Sequence, residues 1–323
     1  MKLCSYETQG RRSYGVQRED GLVVDLRALL GLGAPPTLED LIEAGLDLAA
    51  LAPRLQGAPG LDPATLTWLP PLRRPGKIIG VAINNRMGQA AAYRPFADPA
   101  FFFKPSTSLV GHGQPVVVRG DYGLTHPEPE LAVVIGKAGR AIPENQALSH
   151  VFGYAIINDI TSPGLKEKDS IEIVTPPQAT GGYSDLLAWR QVRDPDHARS
   201  IYLTYHARSK GSDTFGPMGP WLVTADEIAD PNALPILSYD GDELVFEDST
   251  ANLTFSVQRI IAHVSAYMTL EPGDIIHCGT AMKPAEGGRY RTLTGWDLAR
   301  SGRPMAIEIP GLGRLVNPVV VEP

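Results

Sequence analysis

The chain has 323 residues, of which 43% are hydrophobic and 20% are charged. This composition excludes a mostly disordered protein, because enough apolar surface is present to offset the entropy lost on folding. The formal net charge of −7 argues against a nucleic-acid-binding protein, whose surface would be basic, but leaves room for a site that takes a small acidic substrate.

The residue types exclude two further classes of protein. Only two cysteines occur, Cys4 and Cys278, and neither belongs to a CxxC pair, so we expect neither a disulfide framework nor a thiolate metal site. The first residues show no apolar run, and the longest apolar runs have the length of strands. We therefore expect a cytoplasmic protein with no membrane and no nucleic-acid partner.

The N-terminal part predicts a small domain over residues 1–72. Residues 1–30 alternate in the manner of a β-meander. Residues 37–56 predict a helix that begins with Thr37 as N-cap. The proline-rich stretch 69–75 then predicts a linker.

From residue 77 onward the chain is rich in short apolar runs separated by glycine and proline. One long amphipathic helix is predicted at Ser256–Met268. We expect an α+β, β-dominated fold, with one large roll or barrel-like domain over residues 73–323. The predicted strands are 77–83, 100–104, 115–119, 130–136, 152–159, 200–207, 219–224, 243–248, 273–279 and 305–311.

Two glutamates two positions apart, Glu128 and Glu130, lead into an apolar strand. They share one face of it, where their charges repel and are costly to bury unless a cation lies between them. A hard divalent cation meets this need, although a pair of exposed glutamates fits the pattern equally well. A second apolar strand ends in Asn158-Asp159, which places a third acid for the same site or simply forms a turn.

Two further segments have residues suited to an anionic ligand. Lys210 lies in a loop rich in glycine and proline, and it either grips a substrate carboxylate or is solvated. Gly279-Thr280 follows a strand and offers backbone N–H groups and a hydroxyl, as an anion site or as a hairpin turn.

These segments, in this order, resemble the fumarylacetoacetate hydrolase family over residues 77–320. The most specific piece is Glu-x-Glu-Leu-x-Val-Val-Ile-Gly-Lys at 128–137. The stretches 77–84, 102–111 and 272–276 extend the resemblance along the chain.

The resemblance implies a homodimer with one Mg²⁺ or Mn²⁺ per site. It also implies the site residues. From it, metal binding is assigned to Glu128, Glu130 and Asp159, and substrate binding to Lys210 and Thr280. We add Arg86 and Gly279 as further candidates for substrate binding. The resemblance also implies that residues 73–323 form a mixed β-roll catalytic domain.

The sequence departs from the family where hydrolytic members carry Asn-Tyr-x-x-His-x-x-Glu. Gly88 and Ala91 stand at the histidine and glutamate positions, and neither residue can move a proton. Candidates for the missing acid–base role, in addition to Lys210, are Lys166, His112 and His126. The long excursion 166–207, with a glycine- and proline-rich stretch at 176–182, is a candidate lid.

The resemblance and the departures leave three functions open. The first is metal-dependent cleavage of a C–C bond in a small anionic 2-oxo or 2,4-dioxo acid, as in acylpyruvate hydrolysis. The second is decarboxylation, tautomerisation or hydration of a 2-oxo acid that uses the metal as electron sink. The third is a non-catalytic protein that binds a metabolite.

Overall fold

The computed structural model describes residues 1–92, 96–174, 200–282 and 295–323. The strands are β1 (Lys2–Thr8), β2 (Arg11–Gln17), β3 (Val23–Asp25), β4 (Gly60–Leu61), β5 (Thr67–Leu69), β6 (Ile78–Ala82), β7 (Ala100–Phe103), β8 (Leu109–Val110), β9 (Val116–Arg119), β10 (Pro129–Ile135), β11 (Val151–Asn158), β12 (Ser170–Val174), β13 (Ser200–Thr204), β14 (Gly216–Pro217), β15 (Leu222–Thr224), β16 (Pro235–Asp240), β17 (Glu243–Ser249), β18 (Ile275–His277), β19 (Met305–Ile309), β20 (Gly313–Asn317) and β21 (Val319–Glu322).

Helices are fewer than strands in the described residues. The α-helices are α1 (Leu26–Leu30), α2 (Leu38–Glu43), α3 (Ala52–Leu55), α4 (Arg86–Ala91), α5 (Pro163–Lys168), α6 (Ala207–Gly211), α7 (Val257–Tyr267) and α8 (Leu298–Ser301). Short 3₁₀ helices are Ala49–Leu51, Pro63–Thr65, Ser106–Ser108, Gly120–Tyr122, Glu144–His150, Ala225–Glu227 and Thr250–Asn252. The expected β-dominated α+β fold is confirmed. None of the described helices is long and apolar enough to span a membrane.

One large sheet organises the molecule. Its strand order is β4-β3-β2-β1-β15-β11-β10-β18-β6-β7, with β5 added on β1. All pairs in this sheet are antiparallel except β18 with β6. The start of β10, the end of β11 and the ends of β18 and β6 therefore lie at one edge.

The central strand β10 is buried on both faces, which explains its unbroken apolar sequence. Leu131 and Val133 belong to one hydrophobic cluster, and Ala132 and Val134 to a second cluster behind the sheet. A carboxylate at the start of this strand therefore lies next to the packed hydrophobic core.

Helix α7 agrees with its prediction. Ser256 is its N-cap and accepts a hydrogen bond from the N–H of Arg259, and the apolar side packs on the core beside β10. The helix expected over 37–56 is interrupted instead. Thr37 caps α2 as expected, but α2 ends before Gly45, whose φ of +61° is a left-handed conformation that stops a helix.

The N-terminal strands extend the large sheet. Leu3 of β1 pairs with Leu222 of β15, and β15 in turn pairs with β11, so the N-terminal strands are joined through β15 to the strands that hold the acids. The domain boundary expected after residue 72 stays a prediction.

Candidate active site

Glu128, Asp159 and Lys210 meet at the edge where β10 begins and β11 ends. Pro129 lies opposite Asn158, which brings the acids beside the two strand ends together. The Asn158 side chain accepts a hydrogen bond from the N–H of Glu128 at 2.9 Å and fixes that end of β10. The Lys210 ammonium, at the end of α6, lies 2.7 Å from Glu128 Oε2 and 2.5 Å from Asp159 Oδ2.

A second lysine, Lys104, supports Asp159 from behind. It follows β7 and is buried, with its ammonium 2.6 Å from Asp159 Oδ1. It also donates to the carbonyl oxygens of Lys210 at 2.5 Å and Phe215 at 3.0 Å. All three donors of the ammonium are used, so Lys104 fixes the position of Asp159 relative to α6.

Glu130 is held by groups from the end of β18. Its Oε2 lies 2.6 Å from His277 Nδ1 and accepts the N–H of Gly279 at 2.8 Å, and its Oε1 accepts the Thr280 hydroxyl at 3.2 Å. Gly279 has a φ of +91°, and a Cβ there would lie 2.8 Å from Asn84 Cβ, so a glycine is needed for this backbone to reach Glu130.

The donors suited to a metal ion converge at this edge. Glu130, Asp159 and His277 each offer a ligand atom within 4.8 Å of the others. His277 Nδ1 is bonded to Glu130, while its buried Nε2 has no hydrogen-bond partner among the described residues and is turned toward Gly80. His277 is therefore placed to orient Glu130, and the oxygens of Glu130, Asp159 and Glu128 fit a hard divalent cation.

Burial and ion pairing shift the titration of these groups. Burial alone would raise the pKa of Asp159, but the ammonium groups of Lys104 and Lys210 outweigh it and hold the pKa well below its usual range. Burial lowers the pKa of Lys104. For Lys210, burial is outweighed by the nearby carboxylates of Asp159 and Glu128, which raise its pKa. Lys210 is thus a protonated ammonium group, which can donate hydrogen bonds but cannot act as a base.

A cavity of about 380 Å³ opens in front of these residues. One wall is polar and carries the acids and cations that the sheet edge and helices α5 and α6 supply. These polar lining residues are Glu128, Glu130, Thr161, Lys166, His206, Lys210 and Thr280. The remainder is mostly apolar and is formed by Val81, Ala82, Ile83, Asn85, Met87, Gly88, Phe102 and Met282.

Besides Lys210, two of the proposed acid–base residues lie in or near the cavity. Lys166, on α5, is exposed at its lining. His126 is buried beneath it, with Nδ1 4.0 Å from Glu128 Oε1, and pairs through its backbone with Thr161. Burial lowers the pKa of the His126 imidazole.

The structure places His112 and Arg86 outside the described lining of the cavity. His112 Nδ1 accepts the N–H of Val316 at 3.1 Å, and its ring lies edge-on to Trp68. Arg86 is the first residue of α4, and its guanidinium donates to the Ala251 carbonyl at 3.3 Å. Both side chains have local structural partners instead of a place at the acids.

The substrate-binding residues expected from the sequence divide in the same way. Lys210 and Thr280 line the cavity. Gly279 is not part of the cavity lining, and its N–H donates a hydrogen bond to Glu130. The proposed lid at 176–182 lies outside the described residues.

Sequence reasoning missed Lys104, His277 and His206. A lysine directly after the apolar run Ala100–Phe103, and a histidine inside the apolar run around β18, were available as signals. Neither pattern shows which acid the side chain faces, because that depends on strand order. His206, which precedes α6, is recognisable only once the cavity is known.

Three comparisons place this geometry among known proteins. The family described as Fumarylacetoacetate (FAA) hydrolase C-terminal matches residues 77–320. The chain is 29% identical over 316 residues to a 2,4-didehydro-3-deoxy-L-rhamnonate hydrolase of Sphingomonas sp. (strain SKA58), covering 97% of this chain and 94% of that protein. It is 30% identical over 259 residues to the 4-hydroxyphenylacetate degradation bifunctional isomerase/decarboxylase of Salmonella dublin, covering 80% of this chain and 49% of that protein.

A solved structure is similar over the full length. The crystal structure of maleylpyruvate hydrolase from Sphingobium sp. SYK-6, in complex with manganese (II) ion and pyruvate, superposes with a TM-score of 0.70. The two chains are 26% identical, and the match covers 100% of each.

Proposed function

Because this chain belongs to the fumarylacetoacetate hydrolase family, as its motifs predict, we propose that it hydrolyses a C–C bond in a 2,4-dioxo acid with the help of a divalent metal ion. The observation that carries this proposal is the convergence of three acids with Lys210: Glu128, Glu130 and Lys210 line the cavity, and the buried Asp159 contacts Lys210 directly behind it. Three costly buried or half-buried acids in one place are explained by a cation that they bind.

The reaction balances with water as the only co-reactant. The bond between C3 and C4 of an acylpyruvate breaks, hydroxide from water joins the C4 carbonyl carbon, and C3 takes up a proton. The products are a carboxylic acid and pyruvate. An Mg²⁺ or Mn²⁺ ion held by the three carboxylates would supply Lewis acidity to the 2-oxo end of the substrate.

Lys210 and Thr280 would hold the anionic end. Lys210 is a protonated ammonium on the cavity wall, and the Thr280 hydroxyl lies beside Glu130. A charge-assisted hydrogen bond from the ammonium to the substrate carboxylate would orient the 2-oxo group toward the acids. The two side chains lie on different elements, so together they fix direction as well as charge.

We propose His206 as the base that activates water in place of the absent histidine–glutamate pair. It lies on the cavity lining, with its ring 6.5 Å from that of Phe102. Burial lowers the pKa of its imidazole, as do the positive charges of Lys166 and Lys210, against the opposing effect of Asp159 and Asp169. The imidazole is therefore neutral at neutral pH and able to accept a proton. Lys166 stays the alternative base.

The His206 proposal predicts a change in the pH profile. The parent loses kcat/KM as the pH falls through the imidazole pKa, because a protonated base accepts no proton. His206→Gln should lower the plateau about 10²-fold or more and remove that acidic limb. His263→Gln, on α7 beside Phe101, is a matched control with no such effect. If His206→Gln keeps the acidic limb of the parent profile, another group is the base.

Decarboxylation or tautomerisation is the second candidate function. Gly88 and Ala91 at the positions of the usual pair favour it, because these reactions need no activated water. The bifunctional isomerase/decarboxylase among the relatives shows that matched sequences are not restricted to hydrolysis.

Product analysis separates the candidates. Metal-depleted protein is supplied with Mg²⁺ or Mn²⁺ and a set of 2-oxo and 2,4-dioxo acids, and pyruvate and CO₂ are measured separately. Hydrolysis predicts metal-dependent pyruvate release without CO₂. Release of CO₂, or an isomerised product without pyruvate, would replace the proposal by the second candidate, and binding without turnover would favour the non-catalytic alternative.

We also propose a cytoplasmic homodimer, for which the family resemblance is the only support. Light scattering coupled to size-exclusion chromatography tests the oligomeric state, since a dimer has twice the 34.8 kDa chain mass.

A further inference from the structure

Part of the cavity lining is an apolar wall formed by Ile83, Met87 and Met282. Ile83, directly after β6, is 56% exposed, and Met87 on α4 is 39% exposed. Both lie on the cavity lining with Met282, whose carbonyl accepts the Met87 N–H. Exposed large apolar side chains gathered on one side of a cavity indicate a binding surface.

Ile83 is held in this position against its own backbone preference. Its φ of +51° is a left-handed conformation that β-branched residues rarely adopt. The next residue, Asn84, fixes the turn, because its side chain accepts the N–H of Phe255 at 2.8 Å and donates to the Cys278 carbonyl at 2.7 Å. Strained residues of this kind occur where function places a side chain.

Gly88 makes room for the Ile83 side chain. A Cβ at Gly88 would lie only 2.2 Å from Ile83 Cγ2. Gly88 and the strained Ile83 are therefore coupled. Where hydrolytic family members carry a histidine, this chain has a glycine with the Ile83 hydrocarbon packed against it.

The same cavity is also lined by cationic side chains. Lys166, His206 and Lys210 share this lining, on the contacting helices α5 and α6 and directly before α6. Phe102 also lines the cavity, with its ring 5.1 Å from the Lys210 ammonium. The cavity lining thus combines cationic side chains, which suit an anionic head, with a hydrocarbon surface.

We propose that the substrate carries an apolar tail, an alkyl or aryl group beyond the oxo acid, that packs against Ile83, Met87 and Met282. This inference rests on the proposed function for the head of the molecule and adds the chemical class of its tail. A tail that ends in a second carboxylate would instead face this hydrocarbon wall and lose its solvation without gaining a cation.

Binding of unreactive 2-oxo acids tests the tail separately from the reaction. Calorimetry on Mn²⁺-loaded protein compares 2-oxobutanoate, 2-oxohexanoate and 2-oxoadipate, none of which has the 4-oxo group needed for cleavage. Each methylene that packs on the wall should tighten binding about fourfold, which gives about 15-fold from the four-carbon to the six-carbon acid. 2-Oxoadipate, with the same chain length and a tail carboxylate, should bind at least tenfold more weakly than 2-oxohexanoate.

Two variants locate the effect on the wall. Met87→Gln, which nearly keeps the shape and adds polarity, and Ile83→Thr, which removes one methyl group and adds a hydroxyl, should each reduce the preference for 2-oxohexanoate over 2-oxobutanoate severalfold. Leu32→Gln, at a fully exposed leucine of the N-terminal part, is the matched control and should leave the preference unchanged. Equal or tighter binding of 2-oxoadipate, no gain with chain length, or an unchanged preference in both wall variants would overturn the proposal. A chain-length preference without hydrolysis of any 2,4-dioxo acid would refute the proposed function and leave the apolar tail site standing.

Discussion

Replacing Lys104 by methionine tests whether the buried lysine organises the acids. The substitution keeps the length of the side chain and removes its charge and its three hydrogen bonds. Asp159 then stays buried with Lys210 as its remaining ammonium partner.

The expected loss of stability follows from the contacts that are broken. Removing one member of a buried ion pair costs about 3–5 kcal/mol, because the other charge is left in an apolar setting. Lys210 still compensates Asp159, which favours the lower end of that range. The Lys210 carbonyl loses its hydrogen bond from Lys104, which costs about 1–3 kcal/mol more of folding free energy. The Phe215 carbonyl loses the same donor but still accepts the N–H of Ile160. Because the two terms overlap, we expect a loss of about 3–5 kcal/mol in the free energy of unfolding.

Metal ions should stabilise this variant more than the parent. A bound cation would replace the charge that Lys104 supplied next to Asp159. An extra stabilisation on the order of 1 kcal/mol corresponds to a metal dissociation constant about fivefold lower. The assay is denaturant unfolding of metal-depleted protein with and without Mn²⁺.

Lys77→Met is the matched control for Lys104→Met. Lys77 also pairs with a buried acid, Asp274 at 2.9 Å, but lies away from the cavity lining. Lys77→Met should be less stable than the parent, and Mn²⁺ should stabilise this variant no more than it stabilises the parent. Parent-like stability of Lys104→Met, or an equal Mn²⁺ effect in both variants, would refute the role assigned to Lys104.

Three further predictions concern the acids, the cation and the apolar wall. Glu130→Ala should abolish Mg²⁺ and Mn²⁺ binding in calorimetry, and unchanged affinity would remove Glu130 from the metal site. Lys210→Met should lower kcat/KM about 10²-fold, or 2–3 kcal/mol, as expected for a lost charge-assisted contact, and kinetics equal to the parent would place Lys210 outside the substrate site. Gly88→Ala should destabilise the protein because its Cβ would clash with Ile83, although alanine is favoured over glycine in helices by about 1 kcal/mol. Adding Ile83→Ala to this variant should restore the stability. Purely additive effects of the two substitutions in a double-mutant cycle would contradict this steric coupling.

Much of the site follows from local sequence patterns. The i, i+2 spacing of Glu128 and Glu130 and the position of Asp159 directly after an apolar strand indicate acids at strand ends, and the structure places them at one edge. The strands are recognisable because β-rich runs alternate with glycine and proline.

What the sequence does not give depends on contacts between distant residues. Lys104 and His277 have ordinary local contexts, and only the strand order shows that they face Asp159 and Glu130. The positive φ of Ile83 is imposed by the hydrogen bonds of Asn84 to residues about 170 and 190 positions away. His112 illustrates the converse, since its glycine-flanked loop suggests a site but the fold packs its ring on Trp68.

The most direct test of the proposed function is isotopic. Metal-depleted protein is supplied with Mn²⁺ and hexanoylpyruvate in H₂¹⁸O, with a chelator-treated sample alongside, and the released acid is examined by mass spectrometry. Hydrolysis at the three-carboxylate site predicts hexanoate carrying one ¹⁸O atom, an equal amount of pyruvate and no product in the chelated sample. Release of CO₂ in place of hexanoate, or cleavage that continues unchanged without metal, would contradict the account.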